Sequence, residues 1–252
     1  MKSLILTSLA AALVVPSLAL AGSAANPASN VGRENFGFSF EMESQVKNVE
    51  DDQASSTRLL GKVTWGMLEC VDLYAKLGAS DLKIEVPYLQ DYQGKRGMTW
   101  GCGARAMLIE TYRPAIGAFV DLQFLSFYTK GTVWRIDEKY GYLVRQHNRY
   151  KWNELQASLV AVWQRTIFQP YVGFGLTNVF GHVTGDAYII ENQQESVAGH
   201  RSENFREDAI PEGIAGIDIS LGGTGKLSAE IRYGDEQDIS FFVGASELWH
   251  VK

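Results

Sequence analysis

The sequence is short of several things, and each shortage removes a class of protein. It holds 2 cysteines, 6 prolines and 4 histidines in 252 residues. Cys70 and Cys102 are too few and too far apart for a metal-binding pair. His147, His182, His200 and His250 fall into neither a Ser-His-Asp order nor a His-Glu metal pattern. No catalytic residue, metal or cofactor is assigned on these grounds. Positive charge is not in excess either: the net charge is −6. A nucleic-acid binder carries a basic footprint, so that class of partner is set aside. Beyond the first residues, no apolar run reaches the roughly 20 residues of a membrane-crossing helix.

The one long apolar run lies at the start. Lys2 precedes residues 4–20, and Ala19-Leu20-Ala21 then supplies small residues at cleavage spacing before Gly22. This pattern predicts a secretory signal peptide over 1–21, cut after Ala21. No cysteine follows the cut, which argues against a lipid-modified N-terminus. Residues 22–34 are rich in Ser, Ala, Asn and Gly and are expected to form a flexible lead-in to a domain over 35–252.

What the chain has in quantity is alternation. In residues 36–44, Phe36, Phe38, Phe40 and Met42 share one parity, and Gly37, Ser39, Glu41 and Glu43 share the other. Successive side chains of a strand point to opposite faces, so one face is oily and the other small or charged. The same pattern recurs over 58–67, 70–80, 99–109, 115–124, 152–163, 170–177, 214–221, 227–233 and 239–249. Ten such segments suit a bacterial membrane barrel, whose strand number is even. The gaps between them are sorted. Those at 68–69, 112–114, 164–169 and 222–226 are short, and those at 46–57, 81–98, 128–151 and 178–213 are long. Only 234–238 breaks the rule. Short turns at one end and long loops at the other describe an outer-membrane barrel.

Two further patterns agree. Trp65, Trp163 and Trp249 lie on the oily parity at short-turn ends, and Trp100 lies on it at a long-loop end. Such placement suits interfacial aromatic girdles. The other parity mixes small residues with Glu41, Glu43, Arg58, Lys62, Asp72, Lys76, Arg105, Asp121, Glu154, Asp218, Glu230 and Arg232. Turned into a narrow lumen, these charges must pair, because unpaired buried charge is costly. Cys70 falls at a short-turn end and Cys102 near the opposite end of the next strand, too distant for a disulfide. The fold expected is an all-β, antiparallel up-and-down transmembrane β-barrel of about ten strands, with 8 or 12 as alternatives.

Residues 152–163 lead through a short turn into Pro170-Tyr171-Val172-Gly173, and Asp72-Leu73-Tyr74-Ala75-Lys76-Leu77-Gly78-Ala79 has the same character. These strings resemble the small, porin-like outer-membrane β-barrel proteins of Gram-negative bacteria. The resemblance covers nearly all of the chain after the leader. It implies an outer-membrane location, contact with outer-membrane lipid, and insertion by the barrel assembly machinery. Such barrels usually finish on an aromatic residue. Here Trp249 is followed by His250-Val251-Lys252, and Glu247 falls on the oily parity.

Three functions fit the pattern. The first is a porin-like or structural barrel, passing small ions at most, because barrels of this size fill with side chains. The second is a surface adhesin or lipopolysaccharide-binding barrel acting through 129–151 and 178–213. The first of these segments is basic, with Lys130, Arg135, Lys139, Arg145, Arg149 and Lys151, and such groups suit phosphates. The second is acidic, with Glu191, Glu195, Glu203, Glu207, Asp208 and Glu212. The third is a hydrolase at the barrel rim, but the expectation is that the protein is not an enzyme.

Overall fold

The computed structural model describes residues 31–49, 52–85, 91–112, 115–136, 142–164, 167–191, 194–221, 225–234 and 238–249. The leader, most of the lead-in and His250 lie outside those residues. The strands are β1 (Phe36–Val49), β2 (Asp52–Gly66), β3 (Val71–Glu85), β4 (Tyr92–Tyr112) and β5 (Ala115–Ile136). They continue with β6 (Leu143–Trp163), β7 (Phe168–Glu191), β8 (Gln194–Ser220), β9 (Gly225–Tyr233) and β10 (Ile239–Trp249). Each pairs antiparallel with its neighbour in sequence, and β1 pairs with β10 to close the ring.

The barrel is oily outside and polar inside. Phe40 is 74% exposed, while its neighbour Glu41 is 1% exposed. Phe38, Leu122 and Val172 face outward in the same way, and Lys62 and Asp218 are buried within. A water-soluble barrel arranges its faces the other way. A closed ring whose exposed belt is apolar is a transmembrane β-barrel, with no free strand edge in the lipid.

Strand length divides the molecule. β1, β2 and β3 have 14, 15 and 15 residues, and β9 and β10 have 9 and 11. β5, β6, β7 and β8 have 22, 21, 24 and 27. About 9–11 tilted residues cross a bilayer. The excess of β5–β8 therefore stands above the membrane as a four-stranded wall. This corrects the expectation of long loops. Residues 128–151 are mostly the upper β5–β6 hairpin, which runs from Tyr128↔Lys151 to Ile136↔Leu143. Residues 178–213 are mostly the β7–β8 hairpin. Likewise 46–57 and 81–98 contain the ends of β1 to β4. Above the bilayer neither face needs to be oily, so the alternation fades while the hydrogen-bond ladder continues.

The last residues of the lead-in are tied to the base of the barrel. The Glu34 N–H donates to the Gly66 carbonyl at 2.8 Å, and the Gly66 N–H donates to the Asn35 carbonyl at 3.0 Å. Gly32 and Glu34 adopt left-handed φ values of 80° and 65°. That turn folds Val31 under the barrel, where it is buried and its N–H donates to Asp72 at 3.3 Å. Residues 31–34 thus cover part of the short-turn mouth.

Candidate functional site: a filled lumen beneath a tall wall

All twelve charges assigned to the lumen lie inside the barrel, and none is more than 4% exposed. They form chains of pairs. Glu41 forms ion pairs with Lys62 at 3.2 Å and with Lys76 at 2.6 Å. Lys76 lies 3.5 Å from Glu43, and Arg58 donates to Glu43 at 3.4 Å. Arg58 also grips Glu154 with both terminal nitrogens, one of them at 2.8 Å. Gln45 and the Trp152 indole donate to the same carboxylate at 2.5 and 2.6 Å. Arg105 pairs with Asp72 at 3.0 Å, and the Tyr74 hydroxyl donates to Asp121 at 2.7 Å. Arg232 reaches Glu230 at 2.8 Å, and the Tyr171 hydroxyl donates to Glu230 at 3.0 Å.

Burying ions in this way is costly unless each is paired and hydrogen-bonded. The networks supply the pairing, while single atoms such as Glu43 Oε1 and Asp121 Oδ2 keep no hydrogen bond among the described residues. Two tyrosines fit because the strand beside them gives way. Tyr74 pairs across strands with Gly103, and Tyr171 with Gly216. A Cβ at either glycine would lie 2.3 Å from the ring. Glycine is what lets these rings lie flat across the lumen wall and reach their carboxylates.

The sequence reading missed part of this interior. Lys47 bonds Glu212 at 2.7 Å, and Arg232 reaches Glu212 at 3.3 Å. Its place in the acidic segment 178–213 predicts a loop position for Glu212, and it is buried in the lumen instead. The signal was available in both cases. Lys47 continues the polar parity of Glu41, Glu43 and Gln45, and Glu212 continues that of Asp218.

The interior is also less polar than alternation implied. On the side away from the short turns, Leu60, Leu82, Tyr92, Leu125, Phe127, Trp152 and Val179 form an apolar cluster. Phe127 stacks on Trp152 at 5.9 Å, and Phe205 tilts against Trp152 at 5.4 Å. Burial pushes the Tyr92 phenol, near the outer mouth, above its ordinary value. A second cluster gathers Phe119, Val160, Val162, Tyr171 and Ile214. Charge network and apolar plug together fill the lumen. One cavity beside Val31, Lys62 and Arg105 measures about 20 Å³, roughly the room of a single water.

Outside, Trp65, Trp100, Trp163 and Trp249 are all exposed. Phe36 pairs with both Trp65 and Trp249, which sets these two tryptophans level at the base of the belt. Trp100 packs on Phe124 at 5.4 Å near its upper edge. Cys70 and Cys102 are free thiols.

Of the basic residues assigned to the surface, Lys130, Arg149 and Lys151 are exposed on the outer face of the wall. Arg145 stands apart from them, between the rings of Trp134 and Tyr188 at 5.7 and 5.6 Å. Lys139 and the Arg135 side chain lie outside the described residues. His147, His182 and His200, expected in loops, sit on strands β6, β7 and β8. His200 bonds Asp186 at 2.8 Å, and His182 bonds Asn204 at 2.7 Å. Among the described residues, no group of His, Cys, Asp and Glu could hold a metal ion.

No protein-family model matches the chain, and no curated protein does. Solved structures share its architecture. The translocator domain of the autotransporter NalP from Neisseria meningitidis is 9% identical, with 98% of this chain and 94% of that one covered and a TM-score of 0.46. The outer membrane protease OmpT from Escherichia coli is 9% identical over 86% and 96%, with a TM-score of 0.44. The outer membrane protein OprG from Pseudomonas aeruginosa is 9% identical over 88% and 100%, with a TM-score of 0.39. All three are outer-membrane β-barrels, and at these values they carry no argument about what this chain does. The chain is itself a β-barrel of the small outer-membrane type, on the strength of its closed ring and its outward apolar belt.

Proposed function

We propose that this protein is a closed outer-membrane barrel that anchors and displays a binding wall, rather than a pore. One observation carries the reading: the lumen is filled twice over. Glu41, Glu43, Arg58, Lys76 and Glu154 are all at most 2% exposed, so the protein's own atoms enclose them. The aromatic plug of Phe127, Trp152 and Phe205 sits on the same column of space. An ion entering would have to break paired charges and then cross apolar side chains. On this reading the short turns face the periplasm and the wall faces outward, as in other barrels of this kind. Outer-membrane lipid and the barrel assembly machinery are its partners, and small ions do not pass.

The wall supports the surface-binding half of the proposal. β5–β8 exceed the length needed to cross the bilayer by about a factor of two. A ladder that long does nothing for anchoring. The reading is also non-enzymatic. His200 and Asp186, the Asp–His pair bonded in the described residues, stand exposed on strand faces. The test is reconstitution in planar bilayers. No conductance steps above the lipid baseline are expected, and stable, reproducible steps would reject the closed barrel.

A further inference from the structure

A row of cations above the belt crosses β4 and the first two strands of the wall. Lys95 of β4 stands directly opposite Lys130 of β5, and Lys130 stands opposite Arg149 of β6. All three are exposed. Nearer the belt, exposed Lys151 faces Tyr128 across the β5–β6 pair. Arg96 follows Lys95 where the β4–β5 register shifts, and it too is exposed. Neighbouring strands lie about 4.8 Å apart, so the row of three fits within about 10 Å.

Like charges set directly opposite each other weaken a strand pair. The described residues around them do not relieve them. Among the described residues, Lys95, Lys130, Arg149 and Lys151 form no ion pair, and Arg96 finds Asp81 only at 4.0 Å. Lys130 instead lies 5.5 Å over the Tyr128 ring. Cations elsewhere on the described surface are neutralised in several places, although among the described residues exposed Arg206 stands alone. Lys83 pairs with Glu85 and Asp91, and Arg201 pairs with Glu203. A protein of net charge −6 thus gathers unpaired cations on one face.

Their height above the belt and their neighbours say what would neutralise them. Exposed Met98, Trp100, Leu122 and Leu155 mark the belt below. Lys151 and Arg149 are four and six residues above Leu155 along β6. With about 3.3 Å per residue and a tilt near 40°, they sit roughly 10 and 15 Å higher. Long basic side chains reach back down toward an interface. Beside the row, Arg149 faces Thr184, and Thr184 faces Ser202, which offers hydroxyls suited to a sugar. We infer that the outer face of β4–β6 binds the phosphates of a phosphorylated outer-leaflet glycolipid whose acyl chains lie on the belt beneath. Lys95 and Arg96 join Lys130, Arg149 and Lys151 in that site, and Arg145 does not. The inference rests on the outer-membrane placement and not on the closed lumen. Channel activity would leave it intact, and failure of the lipid test would leave the closed lumen intact.

The test compares wild type with the triple variant Lys95→Gln, Lys130→Gln, Arg149→Gln and with the control pair Lys83→Gln, Arg201→Gln. All are refolded in lipid-free detergent and titrated with purified lipopolysaccharide or with its dephosphorylated form. The triple variant should bind lipopolysaccharide about tenfold or more weakly than wild type, since charge-assisted phosphate contacts are lost. The control should bind as wild type does. Dephosphorylated lipid should bind wild type and triple variant alike. Without lipid, the triple variant should unfold at the same temperature as wild type or higher, because the repulsion is gone. Should it fail to refold, Arg149→Gln alone gives the same comparison with a smaller drop. Equal affinity of wild type and variant for lipopolysaccharide would overturn the site. Full displacement of the lipid by excess inorganic phosphate would make it an ion site and overturn the glycolipid.

Discussion

β9 and β10 run for 9 and 11 residues, while β7 and β8, next to them in the ring, run for 24 and 27. The short side is nearly all membrane, and the long side is half membrane and half wall. Within the bilayer every strand obeys two constraints at once: an oily face for lipid and a pairing partner for each charge inside. In the wall the outer face is free of the first constraint, and inside a few apolar side chains such as Val133 and Val144 are buried in place of charges. A change that is ruinous at one level should therefore be mild at the other.

The largest contrast is expected for charge. Glu154→Ala leaves Arg58 buried beside Phe127 without its main partner. It should cost about 3–5 kcal/mol, read as a drop in the urea concentration that abolishes heat-modifiable migration. Glu203→Ala, which removes an exposed wall pair, should change stability by less than about 0.5 kcal/mol. Replacing Glu154 by Leu together with Arg58 by Met should cost less than Glu154→Ala alone, because Arg58 is then not stranded and Glu43, which loses it, keeps Lys76 at 3.5 Å. Equal losses for Glu154→Ala and Glu203→Ala would erase the distinction between lumen and wall.

The next contrast concerns the outer face. Leu159 lies in the middle of the belt on β6, and Leu143 lies at the top of the wall on the same strand. Both are exposed. Leu159→Arg should destabilise by about 2–4 kcal/mol, as charge does at a bilayer midplane. Leu143→Arg should stay within about 0.5 kcal/mol, because its surroundings are already water. Unfolding in lipid vesicles measures both.

Removing the upper part of one hairpin, residues 132–147, should do still less to the barrel. Its ladder lies above the belt and its loss opens no lumen pair. A protease-resistant, heat-modifiable core should remain. A core that no longer survives digestion would show that the wall and barrel form one cooperative unit.

The smallest effect concerns Asp238, in the connection between β9 and β10. Its carboxylate accepts the Asn48 N–H at 2.8 Å. Burial nevertheless holds the carboxyl above its ordinary value. The folded state therefore keeps that proton more readily than the unfolded chain does. Its contribution to stability should rise as pH falls through the range just above the ordinary carboxylate value, and fade as pH rises. Asp238→Asn should flatten that slope and keep the Asn48 contact. An unchanged slope would assign the pH dependence to other groups.

The membrane half of this molecule was legible because two solvents impose a period of two. Phe36 to Met42 and Glu41 to Lys47 reveal their faces without any knowledge of partners. Which charge meets which could not be read, since Arg58 and Glu154 are 96 residues apart and meet only across the lumen. The apolar plug was hidden for a related reason. Trp152, Phe127 and Leu125 break the polar parity inside, and nothing local says that they converge. The wall looks like loop in the sequence because its strands face water on their outer side. There Thr132, His147, Asp186 and His200 sit opposite one another, in a row that carries no hydrophobic signal. Only the register shows Lys95 beside Lys130 and Arg149.

The inside-out barrel is tested most directly by its own tryptophans. Single-tryptophan variants in vesicles with brominated acyl chains report which indoles touch lipid. Proteins keeping only Trp100 or only Trp163 should be strongly quenched, and one keeping only Trp152 should not be. Quenching of Trp152 with no quenching of Trp100 and Trp163 would contradict the account.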